Sequence, residues 1–125
     1  MFQKNSVVMQ TARKQIEKSY TDTCTVIEHQ KTKVNGVASF SDVTVLENIP
    51  CRLSYSSAKA ANQTESSADI VQIIKLFISP DIAIKPGSKI VVTRDGKTTE
   101  FKDSGVPSLY PTHNEIMLEL FKGWA

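Results

Sequence analysis

The dipeptide Asp95-Gly96 constrains this chain more than any other feature, because it separates two runs that alternate like strands, Lys89-Ile90-Val91-Val92-Thr93-Arg94 and Lys97-Thr98-Thr99-Glu100-Phe101-Lys102. A two-residue type I′ turn needs φ > 0 at both central positions, and Asp-Gly tolerates that better than most pairs. The turn fixes a register. Arg94 is expected opposite Lys97, Val92 opposite Thr99 and Ile90 opposite Phe101, leaving one apolar side and one mixed side where Val91 meets Glu100. With Ile70 to Ser79 before it and a strand near His113 to Phe121 after it, the second half of the chain reads as four strands. Lys85-Pro86-Gly87 and Asp103-Ser104-Gly105-Val106-Pro107 supply the intervening turns. The expectation is a mainly β fold, a small antiparallel barrel or sandwich.

Earlier in the chain the period is mixed. Ser6 to Lys18 contains no Gly or Pro and places Val8, Ala12 and Ile16 at helical spacing with Met9 alongside, capped by Asn5 or Ser6 and broken at Tyr20-Thr21-Asp22. So narrow a stripe makes a helix that is marginal alone, so it must pack on the sheet or on another subunit. From Thr23 the period becomes two, with Cys24 and Val26 on one face. Asn35-Gly36 marks a turn, a second strand is expected around Val43 to Glu47, and Asn48 marks a bend. A further strand then alternates Ile49, Cys51, Leu53 and Tyr55 with polar residues, its Pro50 belonging near the beginning or at an edge.

Ser56 to Ala68 has no large hydrophobic side chain across thirteen residues. A segment with nothing to bury is expected to project as a loop, with a short helix through Ala58 to Ala61 as the alternative. Ile70 to Ser79 contrasts with it, since Ile70, Ile74, Leu76 and Ile78 lie on one face while Val71, Ile73 and Phe77 lie on the other. Small antiparallel sheets wet one face, so a strand apolar on both calls for an outer cover: the N-terminal helix or a neighbouring subunit.

Composition removes several function classes. At 125 residues with 40% apolar and 22% charged side chains, the chain can bury roughly two thirds of its unfolded surface without metal or disulfide staples. No apolar stretch approaches the roughly 20 residues of a transmembrane helix, and no secretory h-region opens the sequence, so the protein is expected to stay where it is made, away from membranes. A net charge of +2 does not announce nucleic acid, although residues 1 to 35 hold six Lys/Arg against three Asp/Glu. Cys24 and Cys51 share the apolar pattern and are expected to be buried free thiols, with a disulfide as the alternative if their strands are neighbours. Two Cys and two His far apart make no zinc set, and Pro86-Gly87-Ser88-Lys89 lacks the glycine and helix of a phosphate loop. Cys51, His113 and Asn114 could imitate a cysteine hydrolase, but an inward Cys51 without a helix N-terminus argues otherwise. His113 and Glu115 should share one side of their strand, as a hydrogen-bonded pair. No enzyme, cofactor or metal is expected.

The layout Ile49-Pro50-Cys51-Arg52-Leu53-Ser54-Tyr55, a long polar loop, Ile84-Lys85-Pro86-Gly87-Ser88-Lys89-Ile90-Val91-Val92 and Tyr110-Pro111-Thr112-His113-Asn114-Glu115-Ile116 resembles the head closure proteins of tailed phages. More narrowly, it looks like the small connector proteins of Gram-positive siphophages and PBSX-like defective prophages. The resemblance implies one domain over residues 1–125: a docking helix in 1–20 and a small antiparallel β-barrel in 21–125 with a long loop, 56–69, between central strands. It implies a homo-oligomeric ring beneath the portal or adaptor protein of the packaged head, presenting the attachment surface for tail proteins, in virions assembled in the bacterial host cytoplasm. The channel loop would comprise Ser56, Ser57, Lys59, Asn62, Gln63, Thr64, Glu65, Ser66, Ser67 and Asp69. With Lys59 against Glu65 and Asp69, it would meet packaged DNA only indirectly, as a steric plug. Val8, Ala12 and Ile16 on the helix, and Val71, Ile73 and Phe77 on the strand, would make subunit or adaptor contacts. The rival readings are a tail terminator or tail-to-head joining protein and, more remotely, a stand-alone β-barrel that binds nucleic acid or a small ligand.

Overall fold

A computed structural model of the chain describes residues 7–59 and 70–124. One helix, α1 (Val7–Glu17), precedes seven strands: β1 (Asp22–Val34), β2 (Val37–Lys59), β3 (Ile70–Ile78), β4 (Lys89–Arg94), β5 (Lys97–Asp103), β6 (Ser108–Leu109) and β7 (Asn114–Leu120). All pairings are antiparallel, in the order β3-β2-β1-β4-β5-β7-β6, and a further β3–β7 pairing brings the strands round into a ring. The fold is therefore mainly β and barrel-like.

The β4–β5 hairpin has the expected register, with Arg94 opposite Lys97, Val92 opposite Thr99 and Ile90 opposite Phe101. Its turn residues Asp95 and Gly96 have φ of 50° and 75°, the left-handed conformation a type I′ turn requires. Asn35 and Gly36 repeat the device between β1 and β2. Alternate residues turn inward from every long strand, and Cys24, Val26, Cys51, Leu53, Ile74, Leu76, Ile78, Ile90, Val92, Phe101, Ile116 and Leu118 form the core, with Ile84 from the β3–β4 connection. Both cysteines are buried free thiols.

The expected break at Asn48 does not end a strand. β2 runs for 23 residues through it, with Asn48 at φ 50° and shifts of register against Cys24, Val26 and Ile27 absorbing the irregularity. β2 changes partner at Cys51, which lies opposite Asp22 of β1 and Ile78 of β3. Pro50 precedes that handover, so β1 flanks it on one side and no strand on the other, where its missing N–H costs nothing.

Two ribbons result. β4 accompanies β1 only as far as Ile27, so residues 28–34 and 37–43 continue beyond it as a two-stranded arm. β7 accompanies β3 only over Ile74–Ile78, so residues 56–59 and 70–73 form a second arm. The arms occupy opposite ends of β2.

Candidate assembly surfaces

The second ribbon corrects the expected loop. Ser56, Ser57 and Lys59 are strand residues, paired with Ile73, Gln72 and Ile70. Their side chains carry no apolar signal because the neighbouring strand supplies the order, through backbone pairing, and Ile70 to Ile74 supply the β-branched residues for both. Asn62, Gln63, Thr64, Glu65, Ser66, Ser67 and Asp69 lie outside the described residues.

β3 does present two faces. Leu76 and Ile78 are fully buried, whereas Val71 is 47% exposed on the outside and Ile73 and Phe77 are half-buried there. Part of the outer cover comes from β7 and the turn before it. His113 lies against Phe77, with ring centroids 5.5 Å apart, and is stacked by Tyr110 at 4.9 Å. Its Nε2 lies 3.0 Å from Glu115 Oε2, its Nδ1 3.0 Å from Thr112 Oγ1, and Lys75 Nζ reaches Glu115 Oε1 at 3.4 Å. Burial raises the Glu115 pKa, but the hydrogen bonds from His113 and Lys75 outweigh it and hold the carboxyl below its ordinary value. The expected pairing of His113 with Glu115 is thus present, and it serves to cap an aromatic side chain.

On α1 the buried side chain is Met9, with Ile16 half-buried, while Val8 and Ala12 face outward. The apolar stripe read from Val8, Ala12 and Ile16 is rotated from the face that packs, because a polar residue occupies the packing face and hides it from hydrophobic periodicity. That residue is Arg13. Its guanidinium donates to Glu17 at 2.7 Å, Ser79 at 2.9 Å and Asp81 at 2.8 Å, tying the helix to the end of β3. The hydrogen bonds to Glu17 and Asp81 raise its pKa despite some burial.

The first ribbon carries a column of rings. His29 is stacked between Phe40, at 4.8 Å, and Trp124, at 4.7 Å, and its Nδ1 lies 2.9 Å from Asp42 Oδ1. The His29 hydrogen bond, helped by Trp124, holds Asp42 below its ordinary pKa. Phe40 itself stays exposed, as do Val34 and Val37 beyond the column.

Inside, Asp22 is 2% exposed and accepts from Arg94 Nε and Nη2 at 2.9–3.1 Å and from the Leu53 N–H at 2.9 Å. Arg94 also donates to the Leu53 carbonyl, so one ion pair clasps β1, β2 and β4. Burial raises the Asp22 pKa, yet the Arg94 and Leu53 hydrogen bonds outweigh it and leave the carboxyl below its ordinary value. The hydrogen bond with Cys24 and burial push the Cys51 thiol far up, which keeps it neutral. Cys51 lines the interior, Asn114 turns inward to donate to the Ile82 carbonyl at 2.9 Å, and His113 stays on the outer face, so these three do not converge. Among the described residues no three His, Cys, Asp or Glu gather as metal ligands, and no helix is long and apolar enough to cross a membrane.

The class of molecule is a barrel-like antiparallel fold with a short N-terminal helix and two projecting ribbons. No family model matches the chain, and no curated protein matches it. Among solved structures it is similar to xkdH, a protein of the phage-like element PBSX from Bacillus subtilis, with 12% identity, a TM-score of 0.50, and coverage of 79% of this chain and 93% of that one. At that identity the likeness is one of architecture: the chain shares the fold of a protein from a phage-like element.

Proposed function

We propose that this protein is a structural component of the phage head–tail connector, closing the packaged head as a ring and offering the surface to which the tail attaches. The observation that carries this reading is the β2–β3 ribbon, which extends past β7 and whose strands are joined in sequence by the polar residues 60–69, on a fold of the kind found in a PBSX protein. A ring directs one such ribbon per subunit toward its axis, where copies of a small polar segment obstruct the channel sterically. Phosphate binding is not required. Val71, Ile73 and Phe77 belong to the subunit contacts, together with Val8, Ala12 and Ile16 on the helix. Portal or adaptor proteins lie on one side of the ring and tail proteins on the other, and the protein acts without catalysis, cofactor or membrane.

Electron microscopy of the protein mixed with DNA-filled, tail-less capsids of the phage that encodes it tests the reading. The expected result is an added ring at the portal vertex and retention of DNA. Binding to finished tail tubes but not to heads would replace this function with that of a tail terminator.

A further inference from the structure

The β1–β2 ribbon leaves the barrel with both of its outer edges open. β4 stops accompanying β1 at Ile27, and β3 meets β2 only from Cys51 onward, so residues 28–34 and 37–47 each turn one row of backbone N–H and C=O groups away from the ribbon. Among the described residues, no other strand pairs with either row. A lone two-stranded ribbon is marginal in water, and open edges are templates for another strand. Neither edge carries a proline in these segments.

The two edges differ in charge. The β1 edge carries Lys31 and Lys33, which form no ion pair among the described residues, while its one acid, Glu28, lies beside Lys85 at 3.8 Å. The β2 edge carries Asp42, which already lies against His29 of its own ribbon at 2.9 Å, and Glu47, which forms no ion pair among the described residues, and it has no Lys or Arg. Joining like edges, as a two-fold dimer would, sets lysines against lysines or acids against acids. Joining unlike edges matches them, and a head-to-tail contact of that kind repeats around an axis until it closes.

We propose that in the assembled ring the β1 edge of one copy pairs with the β2 edge of the next, so that the ribbons form a continuous antiparallel collar, two strands per copy. The inference rests on the ring reading above and specifies the partner of this arm as a second copy of the same chain. Phe40, 62% exposed on a lone subunit, then lies within a multi-stranded sheet.

Variants with one added cysteine test it, because Cys24 and Cys51 are buried and do not compete. Thr32→Cys protein is mixed in turn with Val37→Cys, Ser39→Cys, Ser41→Cys or Val43→Cys protein, the set covering successive staggers on one face. Each mixture is oxidised both free in solution at high concentration and bound to packaged, tail-less capsids, and dimers are read on non-reducing gels. The collar predicts a disulfide-linked dimer in at least one mixture and none in any variant alone. Lys33→Glu should lower that yield about two- to fivefold, the worth of one exposed ion pair, and adding Glu47→Lys should restore it. Dimers of Thr32→Cys with itself, or particle-bound protein with no cross-link in any mixture, would overturn the collar while leaving the ring. Protein that ignores packaged heads yet cross-links in mixtures would refute head closure and keep the collar.

Discussion

Asp103→Asn probes the one carboxyl that, among the described residues, the core holds without adequate partners. At the end of β5 this residue is 2% exposed; Oδ1 accepts from the Gly105 N–H at a long 3.4 Å, and Oδ2 has no partner. Burial therefore lifts its pKa from 3.8 to about 6, against a smaller downward pull from the Gly105 amide. Below pH 3.8 folded and unfolded chains both hold the proton and nothing is lost. Between 3.8 and about 6 the unfolded chain releases it while the folded chain keeps it, so stability falls as pH rises, and above 6 the full loss is reached. That loss is about 3 kcal/mol, at 1.36 kcal/mol per pH unit. Asn cannot ionise, but its buried amide lacks an acceptor and costs about 1 kcal/mol. The variant should thus be the less stable protein near pH 4, by under about 1 kcal/mol, and the more stable at pH 8 by about 2 kcal/mol. Urea unfolding at both pH values measures the crossing. An equal difference at the two, or a carboxyl resonance titrating near 3.8, would refute the account of Asp103 as a buried, underpartnered acid.

Arg94→Met leaves Asp22 buried and strips a donor from the Leu53 carbonyl; with 40% of the Arg94 side chain exposed, the cost by urea unfolding is discounted to about 2 kcal/mol at pH 7. Because Asp22 titrates below its ordinary value, its contribution is present above pH 3.8 and disappears as pH falls through the lower folded value, so the cost of Arg94→Met should shrink in acid. Gly96→Ala forces a Cβ into φ 75° and should lower stability by about 1 kcal/mol in thermal unfolding, whereas Gly105→Ala, whose Cβ would meet Met117 at 3.9 Å, should be neutral. Phe101→Ala, at a residue 1% exposed in the core, should cost about 4 kcal/mol by denaturant unfolding, and a cost under 1 kcal/mol would mean that the barrel collapses onto the cavity.

The β4–β5 register was legible because Asp95-Gly96 is local chemistry: two residues fix φ, and φ fixes the pairing of the six residues on either side. Alternation located the inward cysteines and the two faces of β3 for the same reason, since a strand writes its burial with period two. What eluded the sequence was ordered by partners distant along the chain. Ser56 to Lys59 became strand because β3 lies beside them, and Asn48 was carried through β2 because β1 could absorb the irregularity. Arg13 faced the sheet as a guanidinium bonded to Ser79 and Asp81, a contact over more than sixty positions that no apolar stripe records. Asp22 looked like a turn residue after α1, and its burial depended on Arg94 from β4. Signals did exist for these two: an Arg within a weak stripe, and an Asp at the inward phase of β1.

The single backbone of β2 serves both ribbons. An extended chain is already near its maximal length, at about 3.3 Å per residue, so tension applied to one end cannot be absorbed by stretching. Between Val37 and Lys59 the clasp of Asp22, Arg94 and Leu53 anchors the span just after Cys51. Whatever seizes one ribbon therefore pulls on a taut cord moored at its middle, and the opposite ribbon is held by the same knot.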